Sequence, residues 1–288
     1  MLFFLLSAGL LRATESDEPV AVFTQLFNGY ARTRLPDQSF KAEYYAFGEG
    51  GCVTRPVRDA AMEEMTFLKV AHAVAAPLAR QNYRPARNSA ECELMILVFW
   101  GATQGSRGGD ASDSLGRLSA ASASYAAAKG ADQAAAPGAN RESEETAAAA
   151  GAYDSALWQM QLANDSRDRL DARNARILGY SDALERAQSA PHMTFARDTV
   201  DELGGNRYYV VLQAYDARTA VKEKKLKPLW TARISMAEGG DFAVALEQML
   251  RRATRYLGQD SKGLHRDVEP ETSVKLGPTE YLETLPGK

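Results

Sequence analysis

The sequence has few of the side chains that build metal centres and disulfide frameworks. It contains two cysteines, Cys52 and Cys92, and three histidines, at positions 72, 192 and 265. Two thiols 40 positions apart lack the paired spacing of a zinc site and are too few for a disulfide scaffold. Three scattered histidines do not make a ligand cluster either. We therefore expect no metal and no cofactor.

A strong charge of either sign is also missing. The chain has 34 basic and 37 acidic residues and a formal net charge of −3. This balance gives no overall attraction to the phosphate backbone of DNA or RNA. No nucleic-acid partner is expected.

The apolar run at residues 1–13 is shorter than the roughly 20 residues that a membrane-spanning helix needs. It resembles the hydrophobic region of a secretory signal peptide, with cleavage after Ala13, although basic residues before the run are absent. The run predicts export, to the periplasm or beyond. The alternative is a buried N-terminal strand or helix in a cytoplasmic protein.

Motifs of the common enzyme classes are absent. The chain has no dinucleotide-binding GxGxxG, no P-loop, no GxSxG and no HExxH or CxxC. The GEGGC segment at residues 48–52 is glycine-rich, but it lacks the lysine and the spacing of a phosphate-binding loop, so a turn is the better interpretation. No catalytic residue is predicted.

The most regular part of the chain is residues 207–257, which predict two strands and a helix. Residues 207–216 and 228–236 alternate apolar and polar side chains, as half-buried strands do. The helix begins at Asp241 as N-cap, has apolar residues at helical spacing, and ends at Gly258. This pattern indicates a hairpin with a helix packed on its apolar face.

The first part of the chain predicts further elements of the same sheet. Residues 40–51 alternate as a strand that ends in a glycine-rich turn, residues 56–81 have helical spacing, and residues 82–86 form a short strand or turn. Residues 94–100 are seven consecutive apolar residues, as in a central strand. Residues 20–30 are apolar without a period, and we expect a short helix or docking segment there.

The middle of the chain has a different composition. Between residues 111 and 150, 16 of 40 residues are alanine, and the tract 105–151 has too few large side chains to anchor a core, so disorder is expected. Residues 153–188 predict one helix or two, with a break at Gly179, and residues 195–203 predict a short helix. Residues 259–288 predict an extended tail.

Together these elements predict an α+β fold in the order β-α-β-β-insertion-β-β-α. We expect a two-layer, mainly antiparallel sheet covered on one face by two helices, with a partly disordered helical insertion. The domain would comprise residues 14–104 and 207–258, interrupted by an insertion at residues 105–206 and followed by the tail.

The order of elements and several segments resemble a known group of proteins. The segments are RYYVVLQAYD, PLWTARISM, and HAVAAPLARQNYRPA leading into CELMILVFWG. They resemble uncharacterised exported bacterial α/β domains and, more distantly, periplasmic accessory domains of envelope assembly systems. The resemblance covers residues 40–103 and 207–257 and includes no diagnostic catalytic motif. It implies a fold and an exported location, and no activity.

Two candidate features remain. The first is a basic cluster in the connection between the last two predicted strands, formed by Arg218, Lys222, Lys224, Lys225 and Lys227. It is typical of a solvated hairpin loop protected against edge pairing, or of a surface that binds anionic lipid, glycan or an acidic partner. The second is a disulfide between Cys52 and Cys92. The predicted topology places both thiols at one edge of the sheet, and an exported protein meets an oxidising compartment. The alternative is two free thiols.

Three functions are compatible with these observations. The first is a non-enzymatic accessory or interaction domain of the bacterial cell envelope, with an unknown protein or envelope component as partner. The second is an enzyme, hydrolase-like, whose site is formed by the insertion helices and the tail. The third is a cytoplasmic adaptor, if residues 1–13 are not a signal. A convergent acid, base and nucleophile in a deep pocket would favour the enzyme.

Overall fold

The computed structural model describes residues 18–53, 62, 64–107, 110–135 and 143–268. Its strands are β1 (Val20–Leu26), β2 (Glu43–Val53), β3 (Tyr83–Pro85), β4 (Leu94–Thr103), β5 (Arg207–Asp216), β6 (Pro228–Ala237) and β7 (His265–Asp267). Its helices are α1 (Phe67–Arg80), α2 (Asp110–Ala135), α3 (Glu144–Leu178), α4 (Ser181–Ser189), α5 (Thr194–Gly204), α6 (Ala217–Glu223) and α7 (Phe242–Ala253). A 3₁₀ turn, Thr254–Tyr256, follows α7. The predicted α+β class is confirmed.

The strands form one mixed sheet in the order β3-β2-β4-β5-β6-β1-β7. β2 runs parallel to both β3 and β4, whereas the other neighbouring pairs are antiparallel. Helices pack on both faces of this sheet. The expected two-layer antiparallel sheet covered by two helices is therefore wrong in its details.

The main core lies between one face of the sheet and helices α1 and α7. Val210 of β5 and Ile234 of β6 are fully buried there, together with Leu246 of α7. The carboxylate of Asp241 caps α7 by accepting a hydrogen bond from the N–H of Ala243. The two strands and the N-cap of the helix are thus formed as the sequence predicts, but β5 is buried on both faces and the α-helix ends at Ala253, before the predicted Gly258.

A second core lies on the opposite face of the sheet, under the insertion. The last turns of α3 contribute Ala175 and Leu178, α5 contributes Leu203, and the sheet contributes Tyr209 and Val211 of β5. These side chains are almost fully buried. The insertion therefore covers a face of the sheet that would otherwise expose apolar surface.

The insertion is helical along its described length. Helices α2 and α3 form an antiparallel pair in which Tyr125 stacks on Tyr153 with ring centroids 6.1 Å apart, and the N–H of Ser143 donates to Asp132. The expected disorder of residues 105–151 is wrong for residues 110–135 and 144–151, which are helix. Alanine is the best helix former, and its small side chain lets two helices pair without large apolar residues.

The predicted break at Gly179 is confirmed. Gly179 ends α3 in the left-handed region, with φ of +83°, and α4 begins two residues later. A Cβ atom at this position would lie 2.6 Å from the Cβ of Phe23 on β1. Glycine is needed here both for its backbone conformation and for the close approach to the sheet.

Residues 20–30, expected to form a helix or docking segment, instead contain β1. This strand lies inside the sheet, paired with β6 on one side and β7 on the other. Its apolar residues show no period because Val20 and Val22 belong to the main core while Ala21 belongs to the second core. β7 brings part of the predicted tail back to the sheet, and residues 269–288 lie outside the described residues.

The glycine-rich segment 48–52 is part of β2, and the predicted turn there is wrong. β2 continues to Val53 and pairs with β4, with a register shift between Glu49 and Gly51. Cβ atoms at Gly48 and Gly50 would lie 2.6 Å from the side chains of Leu97 and Phe99. These glycines therefore let the large side chains of β4 lie across β2.

Candidate functional site

The two ends of the sheet carry different structures. The insertion leaves β4 after Thr103 and returns at Arg207, so we call this the insertion end. Leu94, where β4 begins, pairs with Asp216, where β5 ends, and this opposite end we call the basic end. The segment between β5 and β6, residues 217–227, lies at the basic end and contains the basic cluster predicted from the sequence. We call it the basic segment.

The basic segment is a short helix closed onto the ends of the strands. Asp216 caps α6 by accepting a hydrogen bond from the N–H of Thr219 at 2.8 Å, and the N–H of Asp216 donates to the carbonyl of Lys227 at 3.0 Å. Lys224 ends the helix in the left-handed conformation. Lysines after a helix C-terminus are favoured by the helix dipole. The connector that the sequence described only as polar is thus an ordered helix and turn.

All five predicted cations are exposed on this segment: Arg218, Lys222, Lys224, Lys225 and Lys227. None of their side chains forms an ion pair or hydrogen bond with another residue in the part of the chain that the structure describes. Two large apolar side chains, Val221 and Leu226, lie among them and are 65% and 57% exposed. The segment therefore presents uncompensated positive charge together with apolar surface.

A buried polar network lies close to the basic segment. The guanidinium of Arg32 lies over the rings of Phe40 and Tyr83, with its Cζ 4.4 and 3.9 Å from their centroids. It donates to the carbonyl of Gln81 at 2.5 Å and lies 3.8 Å from the carboxylate of Glu43. These contacts fix the connection between β1 and β2, which crosses the basic end past three intervening strands.

Two phenols complete this network. The hydroxyl of Tyr30 donates to Glu43 at 2.6 Å and lies 3.2 Å from the hydroxyl of Tyr83. Burial raises the pKa of both phenols. Burial also raises the pKa of the Glu43 carboxyl, against the opposing effects of the Tyr30 hydroxyl and of Arg32. Since both phenols keep their protons at neutral pH, neither supplies a base.

A cavity of about 250 Å³ connects the network to the basic segment. Its walls include Tyr30, Glu43, Glu93, Asp216 and Arg218. Glu93 and Asp216 already accept hydrogen bonds from backbone N–H groups, of Tyr44 and Thr219 respectively. In the described residues no group of three or more histidine, cysteine or acidic side chains is arranged to hold a metal ion. The cavity is thus a small polar space beneath the basic segment.

The two cysteines do not meet. Both thiols are free, Cys52 exposed and Cys92 buried. Cys52 pairs with Trp100 near the end of β2, whereas Cys92 precedes Leu94, whose partner is Tyr45 near the beginning of β2. Seven residues of strand, roughly 20 Å, separate these two levels of the sheet. This geometry contradicts the expected disulfide, which needs Cα atoms within about 7 Å.

β3 does not return the chain to the insertion end, as the predicted disulfide requires. It has three residues and pairs with Glu43–Tyr45 at the beginning of β2. The chain then turns back at the same end, with the N–H of Ala86 donating to Tyr45 and the N–H of Glu93 donating to Tyr44. β3 is too short to carry the chain to the other end of the sheet.

A larger cleft of about 850 Å³ lies among the insertion helices. Its walls include Ser106, Arg107, Arg167, Asp171 and Val200. Asp171 is 8% exposed, and one of its carboxylate oxygens has no hydrogen-bond partner among the described residues. Burial raises the pKa of this carboxyl, against a smaller effect of the Ser106 hydroxyl. Sequence reasoning did not single out Asp171, because a lone aspartate within a helix carries no motif.

Two ion pairs line the same cleft: Arg107 pairs with Asp201, and Arg167 pairs with Asp168 at 3.0 Å. The cleft is therefore close to neutral, with one buried acid among paired charges. Residues 259–268, the described part of the tail, are not among its lining residues. Elsewhere the described tail does meet the insertion, because Arg266 pairs with Glu202 at 2.7 Å and donates to the hydroxyl of Thr199 at 3.2 Å.

Comparison with known proteins does not assign the chain to a family. No protein-family model matches the chain, and no curated protein matches it. Among the described residues, no helix has both the length and the apolar character to cross a membrane.

Proposed function

We propose that the protein is a non-enzymatic accessory domain of the bacterial cell envelope that binds an anionic membrane surface through its basic segment. The observation that carries this proposal is the set of five exposed cations without a described partner on an ordered helix and turn. Only one acidic residue, Glu223, lies within the same segment. An anionic surface would supply the missing countercharge.

Val221 and Leu226 favour a lipid surface over an acidic protein or a glycan. Each lies beside lysines and exposes more than half of its surface. Apolar side chains flanked by basic residues can enter the boundary between headgroups and acyl chains while the cations remain with the headgroups. A hydrated glycan offers no apolar layer for these two side chains.

An exported location fits this proposal and rests on residues 1–13, which lie outside the described residues. Their apolar run resembles a signal sequence. N-terminal sequencing of the protein from the envelope fraction is expected to give a mature chain that starts near Thr14. An intact Met1 on protein found in the cytosol would support the alternative cytoplasmic adaptor.

Binding to vesicles tests the proposal. The full chain is expected to sediment with vesicles that contain phosphatidylglycerol and to remain free with vesicles of phosphatidylcholine alone. Each basic residue near an anionic surface contributes about 1 kcal/mol, so the triple change Lys222→Gln, Lys224→Gln and Lys225→Gln should weaken binding about 100-fold. Added salt should weaken the binding of the native chain, because it screens the cations.

A matched triple variant controls for the change in net charge. Arg117, Arg169 and Arg173 are exposed on the insertion, and their replacement by glutamine removes the same charge away from the basic segment. This variant should bind vesicles like the native chain. Equal losses in the two triple variants, or no binding to anionic vesicles at low salt, would contradict the proposal.

A second candidate function is supported by the cleft in the insertion. A buried carboxyl with a raised pKa in the larger cleft is the arrangement from which an acid catalyst or a binding site for a cation is built. Ser106, whose hydroxyl acts on the pKa of Asp171, lines the same cleft. The observation therefore favours a ligand site, or a hydrolase-like enzyme in which Asp171 acts as the acid.

Ligand screening separates this candidate from membrane binding. Compounds that raise the melting temperature of the native chain should lose this effect in Asp171→Asn. The change Asp165→Asn, at an exposed residue of the same helix that does not line the cleft, should retain it. A screen in which no compound distinguishes the two variants would leave Asp171 without a functional role.

A further inference from the structure

The strand β6 carries an arginine in an unusual position. Arg233 lies in the middle of the strand, opposite Val211 of β5 and Phe23 of β1. It is half-buried on the sheet face covered by the insertion, where apolar side chains form the second core. A cation in such a place ordinarily pairs with a carboxylate, because unpaired burial of charge is costly.

No such partner is found for Arg233 among the described residues. Its side chain takes part in no ion pair or hydrogen bond with them, and its contact is the ring of Phe23, whose centroid lies 5.9 Å from the guanidinium carbon. Burial lowers the pKa of Arg233. The cation–π contact offsets only part of the loss of solvation.

Arg233 faces a cavity of about 260 Å³ between the sheet and the insertion. Arg176, near the end of α3, lines the same cavity, as do Gly179, Ser181 and Asp182. Two guanidinium groups and one carboxylate give these walls a net positive charge. Guanidinium groups present planar pairs of donors that fit the oxygens of phosphate and carboxylate groups.

The beginning of α4 adds donors to the same space. α4 begins at Ser181 without a side-chain cap, so the N–H groups of its first turn have no helical partner. Ser181 also brings a hydroxyl group to the wall of the cavity. Together with Arg233 and Arg176, these groups favour negative charge inside the cavity.

We propose that this cavity, which we call the Arg233 pocket, binds a small oxyanion, a phosphate or carboxylate group, held by Arg233 and Arg176. The volume suits inorganic phosphate, a small phosphate monoester or a short carboxylic acid. The ligand would bridge β6 of the sheet to α3 and α4 of the insertion. Occupancy would therefore also stabilise the packing of the insertion on the sheet.

Anion binding to the full chain tests the proposal. Inorganic phosphate and malonate are titrated separately, by calorimetry and by melting temperature, against sodium chloride of equal ionic strength. At least one of the two should raise the melting temperature beyond the effect of chloride. Stabilisation by phosphate alone identifies a phosphate site, and stabilisation by malonate alone identifies a carboxylate site.

The variant Arg233→Gln should weaken the binding on the order of tenfold or more, because it removes a charge-assisted hydrogen bond. Arg176→Gln should also weaken it, and the exposed Arg169→Gln, elsewhere on α3, should not. Without added anion, Arg233→Gln should melt no lower than the native chain, since it removes an unpaired cation. Asp182→Asn should tighten binding, because it removes a repelling carboxylate from the wall.

Two results would overturn the proposal. The first is no stabilisation by either anion beyond that of chloride. The second is a lower melting temperature for both Arg233→Gln and Asp182→Asn in the absence of anion. That pair of losses would show that Asp182 is the internal partner of Arg233 and that the pocket has no vacancy for an anion. The vesicle experiment tests Lys222, Lys224 and Lys225, which do not line the Arg233 pocket, so either proposal can fail without the other.

Discussion

Replacement of Leu178 by alanine should show whether the insertion and the sheet are one cooperative unit. Leu178 is the last residue of α3 and is 1% exposed. It belongs to the second core together with Tyr209 and Val211 of β5. The change removes a side chain that the insertion buries against the sheet, without altering the surface.

The expected loss follows from this burial. Leucine-to-alanine changes at fully buried sites cost about 2–5 kcal/mol, from lost transfer energy and from the cavity left behind. Domains of ordinary stability unfold with about 5–15 kcal/mol, so the loss is a large fraction of the total. Leu162, on the same helix and 46% exposed, provides the matched control. Leu162→Ala should change the free energy of unfolding by about 0.5 kcal/mol or less.

Urea unfolding, followed by tryptophan fluorescence and by far-ultraviolet circular dichroism, gives the measurement. If the insertion folds with the sheet, both probes should report one transition, and Leu178→Ala should move it to lower urea without changing its slope. Limited proteolysis should also cut the insertion faster in this variant. A Leu178→Ala protein as stable as Leu162→Ala would refute the reasoning, because the second core would then not hold the insertion to the sheet.

Three further predictions concern the basic end and the thiols. Burial raises the pKa of Glu43 above its ordinary value of 4.5, so the folded state binds more protons than the unfolded state. The free energy of unfolding should therefore fall as pH rises from about 4.5 through the folded pKa. Glu43→Gln should remove this part of the pH dependence in urea titrations. Gly258→Ala should lower the free energy of unfolding by about 2–4 kcal/mol in thermal unfolding, because Gly258 has a φ of +71° and the new methyl group would meet the hydroxyl of Tyr83. A loss below about 1 kcal/mol would contradict that contact. Without reductant, a thiol reagent should modify Cys52 in the native protein and Cys92 after denaturation; mass spectrometry that found a Cys52–Cys92 bridge would contradict the strand register.

Local sequence determined those elements that have a strong strand composition or are capped by their own residues. β5 has a core on each face, and it was found because its ten residues are rich in β-branched and aromatic side chains. Asp241 and Gly179 mark helix boundaries through their own chemistry, a carboxylate that accepts an N–H and a residue that tolerates positive φ. The basic segment could also be found from the sequence, because the charge of a lysine or arginine follows from the residue type alone.

Tertiary structure decided the features that depend on distant partners. β1 was missed because it packs against a core on each face of the sheet, which removes the period that identifies a strand. The second core exists because the insertion returns to the sheet. The Arg233 pocket forms where β1 and β6 meet α3 and α4, and no local sequence pattern predicts it.

The direction of the strands gives the clearest contrast. The sequence indicated that residues 82–86 and 94–100 are extended, but nothing local fixed the short length of β3 or the parallel pairing of β4 with β2. An extended segment has the same side-chain pattern whichever way its neighbour runs, because direction is set by hydrogen bonds between distant backbones. The composition and order of the elements thus determined the α+β class. The three-dimensional pairing decided that Cys52 and Cys92 lie at different levels of the sheet, since backbone pairing, and not side-chain pattern, sets their separation.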